Sequence, residues 1–134
     1  MASDEKMGLT FVDATLRGPG GSRTLRFLVD SGAAYSVIPA EVGRELGAKP
    51  LKERVFVLAD GRKVTRVLAE LEIEAESQRA TTIVILGEPG DLVLLGVYTL
   101  EGLGLELDPV NRQLRPQTSF PLMAVNPWAV FSTA

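Results

Sequence analysis

The 134-residue sequence contains no cysteine and no histidine. Without cysteine the chain forms no disulfide, zinc–thiolate site or cysteine-peptidase centre, and without histidine it forms no Ser-His-Asp triad. Acid–base chemistry then falls to carboxylates, lysines or tyrosines, and carboxylates are the usual groups that activate water without a metal. We therefore expect a carboxylate-based site with no metal and no cofactor.

Aromatic residues, basic charge and long apolar runs are also scarce. Aromatics make up 6% of the chain against 46% hydrophobic residues in total, which predicts an aliphatic core. The net charge of −3 gives no footprint for nucleic acid or an anionic membrane surface, and we expect neither partner. The longest apolar run, 92–100, is broken by Gly96 and too short to span a bilayer, and residues 1–6 are polar, so a cytoplasmic protein is expected.

Residues 26–29 have strand-like character and lead directly into Asp30, which Ser31, Gly32 and Ala33 follow. A carboxylate at the end of an apolar strand is costly to bury unless hydrogen bonds or an opposite charge compensate it. One interpretation is an ordinary turn, because Asp, Ser and Gly each suit turns. The other is a functional carboxylate, and the motif by itself favours the turn.

The rest of the chain changes that balance, because its two halves have similar patterns. Each half contains two strand-like segments joined by a polar turn, and the segments lie at 11–16 and 24–29, then at 71–75 and 81–86. A further apolar strand ends at Gly96 and leads into a short helical segment at 97–103. The chain is therefore predicted to be internally duplicated, with an Asp-Ser-Gly motif in the first half alone.

This order of features resembles the retropepsin-like aspartic peptidases, in particular the small single-domain bacterial and archaeal forms. The family signature, an apolar pair followed by Asp-[Ser/Thr]-Gly-Ala, is matched by Leu28-Val29-Asp30-Ser31-Gly32-Ala33, and the later apolar-apolar-Gly strand is matched by Leu94-Leu95-Gly96. The resemblance covers residues 9–116. It implies an all-β fold, namely a small closed acid-protease-like barrel with a flap hairpin and one or two short helices.

The plainest hairpin has arms at 55–59 and 62–67 around Asp60-Gly61, a pair that favours a two-residue type I′ turn. An exposed hairpin without a function is the default interpretation. The resemblance instead implies a flap that closes over bound peptide. The residues at its tip, which would border the substrate cleft, are Ala59, Asp60, Gly61 and Arg62.

The remaining elements are predicted from local patterns. The sequence indicates an extended segment at 36–39, a helix at 39–46 that Gly47 stops, and a strand at 81–86 buried on both faces. A last hairpin is expected with arms at 105–108 and 112–114.

Peptide hydrolysis without a metal needs one group to deprotonate the attacking water and another to protonate the leaving amine. Two carboxylates about 3 Å apart share one proton and can supply both. No other aspartate is followed by Ser/Thr-Gly, so the second carboxylate would come from Asp30 of another copy in a two-fold homodimer. We therefore predict an aspartic endopeptidase that acts on a peptide or protein substrate.

The neighbours of Asp30 then have supporting roles. Gly32 leaves room for backbone amides to approach the carboxylate. By resemblance, Ser31 would cross-link the two facing turns and Ala33 would line the cleft floor. The second core strand is predicted to be structural support, and its residues are Leu94, Leu95 and Gly96.

The length indicates a single domain, too small to contain a two-lobed site. We assign 1–8 to a flexible lead-in, 9–116 to the retropepsin-like domain and 117–134 to a tail. The tail carries Phe120, Trp128 and Phe131 and is expected to dock at the dimer interface or across the cleft.

Two other interpretations stay open. A catalytically silent retropepsin-like module for dimerisation or peptide binding would keep the fold without the chemistry. A generic small β-barrel of unrelated function would keep Asp30 only as part of a plain turn.

Overall fold

The computed structural model describes residues 8–118. Within that range the chain forms nine strands and two short helices. The predicted lead-in and tail, with Phe120, Trp128 and Phe131, lie outside the described residues, Gly8 and residues 117 and 118 excepted. In chain order the elements are β1 (Phe11–Gly18), β2 (Gly21–Val29), β3 (Ser36–Pro39), α1 (Ala40–Leu46), β4 (Lys49–Val57), β5 (Lys63–Ala75), β6 (Gln78–Gly87), β7 (Leu94–Leu95), α2 (Val97–Leu103), β8 (Leu105–Asp108) and β9 (Gln113–Pro116).

The strands form one large sheet and a small hairpin. The large sheet has the order β1-β2-β7-β3-β6-β5-β4, and β1 pairs additionally with β5. That pairing closes six strands into a ring and leaves β4 outside it, while β8 and β9 form a separate two-stranded sheet. The all-β class is confirmed.

The core inside this ring is aliphatic, as the composition predicts. Strand residues that point inward alternate with exposed ones, so that each strand contributes every second side chain. The largest side chains with essentially no exposure include one aromatic, Phe27, and several aliphatic residues, among them Leu16, Ile38, Ile73 and Leu95.

The predicted internal duplication has a clear topological form. The first unit is the hairpin β1–β2 followed by β3 and α1, and the second is the hairpin β5–β6 followed by β7 and α2. The short strands are exchanged, because β3 pairs in parallel with β6 and β7 pairs in parallel with β2. The loop after β6, residues 88–91, therefore corresponds to the Asp30 loop after β2.

Several predicted boundaries agree with the structure and others do not. The helix at 97–103 has the predicted bounds, and Gly47 ends α1 with a φ of 72°. The strand at 81–86 was expected to be buried on both faces, which is wrong: Ile83 is 38% exposed, because β6 alternates between core and solvent. The hairpin arms β4 and β5 are longer than expected, because their pairing extends from Val57 and Lys63 near the turn as far as Lys49 and Glu70.

The turn between β4 and β5 is not the predicted type I′. Leu58 and Arg62 enclose a three-residue loop, with hydrogen bonds from Leu58 N–H to the Arg62 carbonyl (2.7 Å) and from Gly61 N–H to the Leu58 carbonyl (2.9 Å). Within this loop only Gly61 has a positive φ, 88°, whereas type I′ needs positive φ at both central residues. The geometry is that of a type I turn closed by a glycine bulge.

A two-residue loop with positive φ at both positions occurs instead between β5 and β6. Ala75 pairs with Gln78, and the intervening Glu76 and Ser77 have φ values of 50° and 63°. Neither residue is glycine or asparagine, so both occupy a backbone region that costs L-amino acids about 1–2 kcal/mol each.

Replacing this pair by Asn-Gly should stabilise the protein. The double substitution Glu76→Asn and Ser77→Gly should raise the free energy of unfolding by about 1 kcal/mol, because these residues adopt positive φ with less strain. Urea unfolding at a fixed protein concentration measures the effect. Ser77→Ala, which keeps the strain, is the control and should give no gain; an equal gain from that control would contradict the explanation.

Candidate active site

Asp30 lies directly after β2 and its backbone is held on both sides. Its N–H donates to the carbonyl of Leu95 in β7 (3.0 Å), and its own carbonyl accepts the N–H of Ala33 (3.1 Å). The carboxylate accepts the backbone N–H of Gly32 at 2.9 Å. The side chain is half-buried, so the carboxylate is fixed in direction while part of it still faces outward.

Gly32 allows this short contact. A Cβ atom at Gly32 would lie 3.3 Å from Asp30 Oδ1, tighter than an ordinary contact. Ser31, between them, is exposed, and its hydroxyl makes no hydrogen bond within residues 8–118.

The next residues of the loop bind the start of α2. Val97 N–H donates to the Ala33 carbonyl (2.8 Å) and Tyr98 N–H donates to the Ala34 carbonyl (3.0 Å). The first N–H groups of a helix have no partner inside the helix, so the loop satisfies donors that would otherwise need water. The loop and the helix therefore fix each other.

Gly96 is the point where β7 and α2 come closest to the Asp30 loop. A Cβ atom there would lie 2.5 Å from the Tyr35 carbonyl oxygen and 2.9 Å from that of Ala33. Both obstacles are backbone atoms, which cannot move aside without shifting the loop. Leu95, beside it, is fully buried, and Leu94 is partly buried and pairs with Leu28 and Val37.

A buried hydroxyl network under the loop was not anticipated from the sequence. Ser36 Oγ accepts the N–H of Gly96 (3.0 Å) and lies 2.6 Å from Thr99 Oγ1, which lies 2.8 Å from Thr82 Oγ1. Ser36 and Thr99 have no exposure. The available signal was the presence of hydroxyl residues at core-facing positions of otherwise apolar segments, where buried polar groups require partners.

The β4–β5 hairpin was predicted above to be a flap and is called the flap hairpin below only for that reason. Its strand β4 contacts residues 30–35, referred to below as the Asp30 segment. The Tyr35 ring makes edge-to-face contacts with Phe56 (centroids 6.1 Å apart) and Tyr98 (5.5 Å), and Arg54 Nη1 donates to the Tyr35 hydroxyl at 3.2 Å. Tyr35 therefore joins the loop, the helix and the hairpin.

The four predicted tip residues lie further out, exposed at the end of this hairpin. Asp60 accepts the backbone N–H of Arg62 (3.0 Å) and its guanidinium (2.7 Å). These hydrogen bonds, the backbone one first, lower the pKa of Asp60. The charges of Asp60 and Arg62 thus neutralise each other within the tip. Ala59 and Gly61 are the other two residues of the tip.

In the second unit, the loop that corresponds to the Asp30 loop also contains an aspartate, Asp91, whose carboxylate has different partners. Asp91 receives two hydrogen bonds from the Arg66 guanidinium, 2.9 and 3.3 Å long, and one from Glu88 N–H (2.7 Å). The Arg66 bond is the main cause that lowers the pKa of Asp91. The loop borders a cavity of about 450 Å³ between β3 and the start of α1, so this cavity lies away from Asp30.

Within residues 8–118 no group of acidic side chains is arranged to hold a metal ion. In the same range neither helix is long and apolar enough to cross a membrane.

Comparison with known proteins places the chain in a family. The family described as aspartyl protease matches residues 12–99, which is more than half of the chain and includes Asp30. The chain therefore belongs to the aspartyl protease family. No curated protein matches it significantly.

Solved structures with the same fold are distant in sequence. The EIAV protease complexed with the inhibitor HBY-793 is 18% identical, with a TM-score of 0.61, over 75% of this chain and 92% of that one. The simian foamy virus (mac) protease is 18% identical, with a TM-score of 0.50, over 68% and 91%. A retropepsin-like aspartic protease from Rickettsia conorii is 22% identical over 77% and 79%, with a TM-score of 0.49. The similarity to the EIAV protease, which has the highest of these three TM-scores, shows that the chain has the retropepsin-like fold.

Gly96→Ala should destabilise the protein because of the backbone overlap at Tyr35 and Ala33. We expect a loss of about 2–3 kcal/mol in the free energy of unfolding. The matched control is Gly102→Ala, inside α2, because the new Cβ would meet only the Cβ of Ala80 in β6, at 3.7 Å. Alanine at this helix position should be neutral or stabilising by up to about 1 kcal/mol. Chemical denaturation compares the two, and equal effects would contradict the close crossing.

Asp91→Asn should lower the free energy of unfolding at neutral pH but not at acidic pH. Because the folded pKa of Asp91 lies below its unfolded value, its stabilisation is present above the unfolded pKa and disappears as pH falls through the folded one. We expect a loss of about 1 kcal/mol at pH 7 that shrinks as the pH falls below the ordinary aspartate pKa of about 4. Urea unfolding across this range measures it, with the exposed Glu53→Gln as control. A loss that stays constant with pH would contradict the ion-pair explanation.

Proposed function

We propose that this protein is an aspartic endopeptidase whose active site contains two Asp30 carboxylates, one from each subunit of a homodimer. The observation that supports it most is the Asp30 carboxylate itself, fixed at 2.9 Å by Gly32 N–H and open on its outer side. Family membership supports the same reaction class. Peptide or protein would be the substrate.

The second carboxylate is proposed to come from another copy because the equivalent loop of this chain cannot supply it. Asp91 is committed to Arg66 by two hydrogen bonds, and an acid held by a guanidinium stays ionised. A two-fold axis beside Asp30 would bring identical residues face to face. The exposed Ser31 hydroxyl would then be free to bond across the axis.

The proposed reaction is a direct attack of water on the peptide bond. The ionised carboxylate takes a proton from water, whose oxygen forms a bond to the carbonyl carbon, while the protonated carboxylate gives its proton to the carbonyl oxygen. The tetrahedral intermediate then breaks its C–N bond as the nitrogen receives the proton that the first carboxylate took from water, and one hydroxyl of the intermediate returns a proton to the second carboxylate, giving a carboxylic acid and an amine. Two carboxylates about 3 Å apart suit this exchange because they hold one proton between them.

Mixing Asp30→Asn with the wild type tests the shared site. If only a dimer with two intact aspartates is active, equilibrated equal mixtures should show about a quarter of the activity of the same total wild-type protein, since random pairing gives that fraction of intact dimers. Cleavage of an unstructured protein between acidic and neutral pH, blocked by pepstatin, provides the assay.

The control for this mixing experiment is Glu76→Gln, far along the chain at the β5–β6 turn. An equal mixture of Glu76→Gln with the wild type should be as active as the same total amount of wild-type protein. Activity that falls only to half with Asp30→Asn would mean that each chain acts alone. A pure Asp30→Asn sample as active as the wild type would mean that another group is catalytic. A dimeric wild type that cleaves nothing would favour the catalytically silent module.

A further inference from the structure

We propose that Arg54 binds an acidic side chain of the substrate, so that the enzyme prefers peptides with Glu or Asp near the scissile bond. This inference rests on the proposed function, because it assumes that a peptide lies between the flap hairpin and the Asp30 segment. It assigns a specificity-determining role to a residue of β4 rather than to the flap tip.

Strand geometry places Arg54 on the inner face of the flap hairpin. Side chains alternate along a strand, so Arg54 shares its face with Phe56, which packs on Tyr35. Val55 and Val57 occupy the opposite face and are 59% and 66% exposed. Arg54 therefore points to the side where the hairpin meets the loop that carries Asp30.

The charge of Arg54 is not neutralised within residues 8–118. Arg66, which lies opposite Arg54 in the register, is paired with Asp91, and Arg62 is paired with Asp60. Arg54 has no carboxylate partner in the described part of the chain. The stretch 49–66 holds six basic and two acidic residues in a chain of net charge −3, so the positive charge is concentrated on this hairpin.

The hydrogen bond to Tyr35 orients the Arg54 guanidinium and occupies one of its N–H donors. One N–H of Arg54 reaches the Tyr35 hydroxyl at 3.2 Å, and a guanidinium has five N–H donors in a planar fork. The Tyr35 ring is itself fixed between Phe56 and Tyr98. A preoriented fork with spare donors suits a carboxylate, which it can bind with two parallel hydrogen bonds.

The alternative role for Arg54 is to support the Tyr35 hydroxyl alone. That role needs a hydrogen-bond donor but no charge, so glutamine could fulfil it. The two roles therefore predict different results for Arg54→Gln: loss of selectivity for acidic peptides in the first case, and unchanged selectivity in the second.

Binding of non-cleavable peptides tests the inference independently of catalysis. Fluorescent eight-residue peptides with a reduced central peptide bond and an aliphatic background would each carry Glu or Gln at one position. For at least one position we expect the wild type to bind the Glu peptide about five- to tenfold more tightly than the Gln peptide. The preference should decrease with added salt, since the site is exposed to solvent.

Arg54→Gln should abolish this preference while leaving the affinity for the Gln peptide within about twofold. The matched control is Lys63→Gln, which removes one positive charge from the outer face of the same hairpin, where Lys63 pairs with Val57. It should keep the preference, because a contact rather than the general field is responsible. Arg54→Lys should retain part of the preference.

The outcomes separate this inference from the proposed function. Equal binding of Glu and Gln peptides at every position, or a preference that survives Arg54→Gln, would overturn the role of Arg54. An equal loss with Lys63→Gln would do the same, since it would indicate a long-range effect. A wild type that binds acidic peptides selectively through Arg54 but cleaves none would support this inference and count against catalysis.

Discussion

The crossing of β2, β7 and the start of α2 at Gly96 is the constraint on which the rest of the site depends. Asp30 is bound through its N–H to Leu95, and the loop after it accepts hydrogen bonds from the first two residues of α2. These bonds require the backbones to approach so closely that even one methyl group at Gly96 would overlap two carbonyl groups. The carboxylate therefore receives its direction from strand pairing and helix capping, both of which are regular backbone interactions.

The buried hydroxyl groups complete this arrangement from below. Ser36 accepts the Gly96 N–H, which would otherwise be a buried donor without a partner, and Thr99 and Thr82 extend the bonding into α2 and β6. A buried, fully satisfied network favours one arrangement of its members, since each broken bond leaves a polar group out of water. The two structural units are thus joined by hydrogen bonds at the place where one of them carries Asp30.

Much of the fold could be predicted from the sequence, because it follows from local patterns. The helix ending at Gly47 and the extended Ser36–Pro39 depend on glycine and proline, whose backbone preferences are strong. The turn types could not be predicted from the sequence. Asp60-Gly61 is compatible with several loop lengths, and Glu76-Ser77 contains no residue that indicates positive φ. The contacts of Tyr35 with Arg54 and Phe56 join residues about twenty positions apart, and no local pattern contains that information.

The two duplicated units show how the same framework gives acids different tasks. Asp91 lies in the loop equivalent to that of Asp30, yet Arg66 from β5 binds it and makes it a structural ion pair. Asp30 has a backbone N–H as its partner, so its carboxylate retains capacity for other groups.

The arginines of the β4–β5 hairpin differ from one another in the same way. Arg66 and Arg62 are bound to acids of their own chain, whereas Arg54 contacts only a neutral hydroxyl among the described residues. In each set, the groups paired within the chain stabilise the framework. Asp30 and Arg54 instead make their side-chain hydrogen bonds to uncharged groups, a backbone N–H and a tyrosine hydroxyl, and so keep hydrogen-bonding capacity that the described residues do not use.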